Sequence, residues 1–140
     1  MGTNSTIAVE LVNGTIKQIM CHWDGYIEHN GRLLNDHWND YNKVVELMKL
    51  GELSRLGREI GSRHDFSNPH DGWCLAYGRD RGESLTSART FENFDQYVHQ
   101  AQFCDYNYVF LNGRWSVATF DMKFRDLARM LDIIAVESLK

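Results

Sequence analysis

The chain has 140 residues, 15 Lys and Arg against 19 Asp and Glu, and a net charge of −4; its acidic balance argues against nonspecific nucleic-acid binding, which rests on cations neutralising phosphates. Hydrophobic residues make up 43%, aromatics 12%, and there is one proline, which excludes a disordered chain and predicts one globular domain over residues 1–140 with a ring-rich core. No apolar run approaches the ~20 residues that span a bilayer, and Met1-Gly2-Thr3-Asn4-Ser5 lacks a basic-then-apolar signal pattern, so a cytosolic protein with no membrane partner is expected.

In chain order, Thr6 to Val12 places Ile7, Val9 and Leu11 on one face by alternation, Asn13-Gly14 supplies a turn tolerating positive φ, and Thr15 to Trp23 returns as a second strand. Leu33, Leu34, His37, Trp38 and Tyr41, then Val44, Val45, Leu47 and Met48, recur at helical spacing. They predict two short helices or one bent helix, with Asp40 capping the second piece and Gly51 closing it. Glu52 to Ile60 reads as a turn with a short helical segment, and Ser62 to Gly72 as a surface loop. Trp73 to Tyr77 reads as a buried strand that ends in the charged segment Gly78 to Glu83. Thr90 is placed as the cap of an amphipathic helix carrying Phe91, Phe94, Tyr97 and Val98. Tyr106 to Leu111 and Arg114 to Phe120, joined by Asn112-Gly113, form a second hairpin, and Phe124, Leu127, Ala128, Leu131 and Ile134 mark a helix to about Val136. Two sequence-local hairpins without a regular βαβ repeat predict an α+β fold: a mostly antiparallel sheet built from the N- and C-terminal hairpins, with helices packed on it.

Two polar clusters follow predicted strands. In Cys21-His22-Trp23-Asp24-Gly25-Tyr26, Trp23 or Tyr26 would stack on a planar ligand while His22 and Asp24 bond its edge; the structural alternative makes Trp23 core, Asp24-Gly25 a turn and His22 a solvated residue. In Tyr77-Gly78-Arg79-Asp80-Arg81-Gly82-Glu83, two guanidiniums between glycines could converge on a phosphate or carboxylate; the alternative pairs them with Asp80 and Glu83, where exposed pairs contribute little. The candidate ligand-binding set is His22, Trp23, Asp24, Tyr26, Tyr77, Arg79, Asp80, Arg81 and Glu83.

No catalytic residue, metal ligand or cofactor is assigned. Cys21 and His22 are adjacent on a strand and point to opposite faces, which argues against a nucleophilic pair. The histidines match no zinc pattern, and neither a P-loop nor a Gly-x-Gly-x-x-Gly occurs. Cys21, Cys74 and Cys104 are odd in number with no Cys-x-x-Cys, so reduced, buried thiols are expected.

Ser5-Thr6-Ile7-Ala8-Val9-Glu10, Cys21 to Tyr26, Leu50-Gly51-Glu52-Leu53-Ser54 and Tyr77 to Glu83 together resemble a group of small proteins of tailed bacteriophages and prophages that carry no functional name. The resemblance reaches to about Phe94 and recurs weakly in the second hairpin; Met20 and a short loop before Trp73 depart from it. It implies a viral protein in the host cytoplasm. By analogy with small accessory phage proteins it implies counter-defence, with sequestration of a nucleotide-derived immune signal as the leading expectation. Inhibition of a host protein partner comes second, and hydrolysis of a nucleotide signal by His22, Asp24 or Glu83 third. A homo-oligomer is compatible with each.

Overall fold

A computed structural model describes residues 2–121 and 123–139. Strands β1 (Ser5–Glu10) and β2 (Ile16–Cys21) form the first hairpin, with Gly14 at φ +88° in its turn. A π-helical turn (Ile27–Gly31) runs into α1 (Arg32–His37), and α2 (Tyr41–Leu50) follows. Asp40 caps α2 by accepting the Asn42 N–H at 2.9 Å, and Gly51 ends it at φ +80°, as the sequence predicts. The second hairpin, β6 (Tyr106–Leu111) and β7 (Arg114–Ala118), turns through Asn112 and Gly113 at φ +50° and +79°. Both turn residues have positive φ, the backbone that the right-handed strand twist favours in a two-residue hairpin.

Four local expectations are corrected. Leu53–Arg55 is a strand, β3, because its backbone pairs with the edge of β2 and with β4 (Leu75–Ala76), overriding the helical spacing of Leu53 and Leu56. The predicted strand of Trp73 to Tyr77 shrinks to β4, and Tyr77–Arg81 is a single helical turn, α3, closed by Gly82 in the left-handed conformation at φ +73°. Thr90 lies in strand β5 (Arg89–Phe91) on β2, and the cap of α4 (Phe94–Gln100) is Asn93, whose side chain accepts the Gln96 N–H at 2.8 Å. The final helix, α5 (Leu127–Glu137), is preceded by a two-residue strand, β8 (Arg125–Asp126), and capped by Asp126.

The α+β class stands, but the sheet is mixed and not mostly antiparallel. Its eight strands run β4-β3-β2-β1-β6-β7-β8, with β5 also on β2. The hairpins join through parallel pairing of β1 with β6, from Ser5 opposite Tyr106 to Val9 opposite Phe110, and β2 lies parallel to β3. Each parallel pair is linked by helices, the long crossover that parallel strands require. Turn chemistry fixes each hairpin and says nothing about how two hairpins dock.

Alternation sends successive side chains of β1 to opposite faces. Ile7 and Val9 join the large core with Leu34, Trp38, Leu47, Tyr108 and Leu127, whereas Ala8 joins Ile16, Phe91, Tyr97 and Val109 in a smaller core on the other side. Buried Trp38 donates its Nε1–H to the Gly57 carbonyl at 3.0 Å, and Trp115 donates to the Trp38 carbonyl at 2.9 Å. These bonds tie the segment after α1 to Gly57, beyond β3, and to β7.

Candidate ligand-binding site

The first cluster begins where β2 ends. The His22 and Trp23 N–H groups donate to the Leu53 and Ser54 carbonyls, carrying the ladder to β3 past the strand. Asp24 then takes φ +58° and its carbonyl accepts the Asn30 N–H, while the Gly25 carbonyl accepts the Tyr108 hydroxyl at 2.6 Å. A Cβ on Gly25 would lie 2.6 Å from the Ser5 Cβ, so only glycine admits this approach. Buried Asn30 donates its side-chain N–H to Ser5 Oγ, Cys21 Sγ and the Trp23 carbonyl. This reverse turn is therefore rigid, and it presents His22 and Trp23 outward. Trp23 is 46% exposed, with its ring over Gly2; Tyr26 is half-buried, 5.9 Å from the His29 ring.

In the second cluster the two arginines diverge in role. Arg79 donates from Nη1 to the Ile60 carbonyl and from Nη2 to the Cys74 carbonyl, both at 2.8 Å, and from Nε to Asp80 Oδ1 at 2.9 Å. Its guanidinium ties α3 to the preceding loop. Asp80 is fully buried at its side chain and also accepts the Ala76 and His64 N–H groups at 2.8 and 3.2 Å. Burial alone would push the Asp80 carboxyl up; the hydrogen bond from Arg79 and the two backbone donors outweigh it and hold the group below its ordinary 3.8. The ring of His64 completes the network. Its Nδ1 accepts the His70 N–H at 2.8 Å, and its Nε2 lies 3.0 Å from the Cys74 carbonyl and 3.3 Å from Asp80 Oδ2.

Arg81 points the other way. It stacks over Phe66 and Tyr77, 4.6 and 4.8 Å from the ring centroids, and its Nε donates to Glu83 at 2.6 Å. Tyr77 in turn meets the His22 ring edge-on at 5.2 Å and the Phe66 ring at 5.5 Å, and His22 Nε2 lies 2.9 Å from Glu52 Oε2. The structure thus brings His22, Tyr77, Arg81 and Glu83 into one run of contacts. It turns Arg79 and Asp80 into the interior. Among the described residues, no hydrogen bond, ion pair or ring contact joins Trp23, Asp24 or Tyr26 to residues 77–83.

Two members of this surface escape a reading of the sequence: Glu52, which orients His22 from across the β2–β3 junction, and Phe66, which covers Arg81 from the 62–72 loop. Charge next to a strand signals the first; an aromatic in a polar loop signals the second. Burial pushes the Cys21 and Cys74 thiols up to about 12 and about 11, so neither is a ready nucleophile. Among the described residues no three His, Cys, Asp or Glu side chains gather to hold a metal ion, and no helix is long and apolar enough to cross a membrane. No family model, curated protein or solved structure matches the chain.

Proposed function

We propose that this chain is a non-enzymatic bacteriophage accessory protein that binds and sequesters a small anionic, nucleotide-like ligand in the host cytoplasm, acting against a nucleotide-signalled defence. The observation that carries the reading is the contact of His22 with Tyr77, which joins two motifs 55 positions apart into one surface. That surface offers ring edges, the His22–Glu52 pair and the stacked Arg81 guanidinium, with the half-exposed Trp23 indole on the same turn as His22. Rings and hydrogen-bonding groups side by side suit a planar heterocycle. The viral setting comes from the resemblance of these motifs to small phage proteins.

The test is calorimetric titration of the full chain with AMP, ADP, inorganic pyrophosphate and a set of cyclic mono- and dinucleotides. Saturable binding of a nucleotide recovered intact after denaturation supports a binding protein; converted nucleotide favours the hydrolase reading, and no binding by any probe rejects the proposal. A second reading, inhibition of a host protein, is favoured by Ile133 and Val136 on α5, which are 45% and 58% exposed one helical turn apart. A defined host partner whose capture is lost in Ile133→Asp/Val136→Asp, with nucleotide binding absent, would establish it.

A further inference from the structure

The arginines of the second motif are internally compensated, and this raises the question of which cations are not. Among the described residues the guanidiniums of Arg32, Arg55, Arg58, Arg63, Arg89 and Arg129 have neither a hydrogen-bond nor an ion-pair partner, and of these Arg55 and Arg58 together line one cleft of about 190 Å³. Its other walls are Leu33, Leu56, Trp73 and His29, with one carboxylate, Asp71. This cleft lies in the stretch between β3 and the 62–72 loop that bears neither sequence motif.

The backbone that carries these arginines is held in place. Arg55 is in β3, opposite Leu75 of β4. The Arg58 carbonyl accepts Lys43 Nζ at 2.7 Å, and the neighbouring Glu59 N–H donates to the Gly72 carbonyl at 3.0 Å. A Cβ on Gly57 would fall 2.5 Å from the Gly72 carbonyl oxygen, and one on Gly72, at φ +81°, would fall 2.5 Å from Arg58 Nη2. Two glycines therefore let the 57–59 and 72–74 segments close together, and the Arg58 guanidinium lies along bare backbone. The backbone is thus fixed, and it sets two forked donors on the wall of one cleft, where they are open to an oxyanion.

We infer that the Arg55–Arg58 cleft is the anion site of this protein and takes the phosphate or diphosphate group of its ligand. The inference rests on the reading that the chain binds a small anionic ligand, and it moves the anion from Arg79 and Arg81 to Arg55 and Arg58. Two uncompensated guanidiniums favour a dianion over a single carboxylate, since each fork can bond one oxygen pair. The cleft is smaller than the ~300–1,000 Å³ of a typical small-molecule pocket; it holds only the phosphate part of a nucleotide. Asp71 opposes the anion.

The test uses the full chain and titrates inorganic pyrophosphate, ADP and a cyclic dinucleotide into wild type, Arg55→Gln, Arg58→Gln, the double variant, Asp71→Asn and Arg81→Ala. For the probe that binds wild type, each arginine substitution weakens binding about tenfold or more, the expected loss for a charge-assisted pair of hydrogen bonds. Asp71→Asn tightens it severalfold, and Arg81→Ala, which removes a ring-stacked group of the heterocycle surface, weakens it less than either cleft arginine substitution does. Pyrophosphate binding alone assigns the cleft to free phosphates; nucleotide binding that exceeds it assigns a nucleotide. Because neither arginine has an internal partner, the variants keep the wild-type melting temperature, which separates lost binding from lost folding. Binding unchanged in the double variant, or lost only in Arg81→Ala, overturns the inference while the binding function stands. No binding by wild type overturns both.

Discussion

Replacing Asp80 with alanine tests the assignment of Arg79 as an internal tie and not a ligand contact. The substitution removes the acceptor for Arg79 Nε at 2.9 Å and for the Ala76 and His64 N–H groups at 2.8 and 3.2 Å. It leaves a guanidinium whose side chain is only 17% exposed without its counter-charge. Removing one partner of a buried pair costs about 3–5 kcal/mol, mostly through the charge left behind. For a chain of this size each kcal/mol lowers the melting temperature by ~3 °C, so Asp80→Ala should melt about 10–15 °C lower. Urea unfolding followed by tryptophan fluorescence measures the loss. Arg79→Ala and the double variant complete a cycle, in which the double variant is more stable than the sum of the single losses predicts by at least about 1 kcal/mol. An Asp80→Ala loss below about 1 kcal/mol, or strict additivity, would refute the reasoning and free Arg79 to be a ligand contact.

The same carboxylate sets an acid limit. Its folded pKa lies below the ordinary 3.8, so its stabilisation is present above the unfolded value and is lost as pH falls from about 4 through the folded value; equilibrium unfolding of wild type should steepen there, and Asp80→Asn, less stable at neutral pH, should lose less on acidification. Thiol labelling of the native protein at pH 8 should modify at most Cys104, which is half-buried, with Cys21 and Cys74 reacting only on unfolding; rapid native labelling of Cys21 would contradict its burial. Gly72→Ala, strained at φ +81° and crowding Arg58 Nη2, should cost about 1–3 kcal/mol and weaken phosphate binding with no change of charge, read by chemical denaturation and calorimetry together.

What the sequence makes legible here is local. Alternation in Ile7 and Val9, the two Asn-Gly turns and the Asp40 cap each act within a few residues, and each element they predict is present. Elements of two to five residues, such as β3, β4 and α3, carry too few side chains to show a period, and β3 exists because β2 and β4 pair with it. The parallel docking of β1 on β6 joins Ser5 to Tyr106, across a separation that no local signal spans. The candidate site divides in the same way. The Tyr77 to Glu83 motif shows its charges plainly, yet whether an arginine is free depends on distant partners: Arg79 is taken up by the Ile60 and Cys74 carbonyls, while among the described residues the Arg55 and Arg58 guanidiniums have no hydrogen bond or ion pair. Charge is visible in a sequence. Compensation is a property of the fold.

The most direct measurement is a titration followed by NMR of the arginine Nε–H and tryptophan indole N–H resonances, using whichever phosphate-bearing probe binds in calorimetry. Shifts that saturate together at Arg55, Arg58 and Trp73, with Arg79 unmoved in its bonds to Asp80 and the two carbonyls, are the predicted result. Saturating shifts at Arg79 and Arg81 with Arg55 and Arg58 unchanged would contradict it.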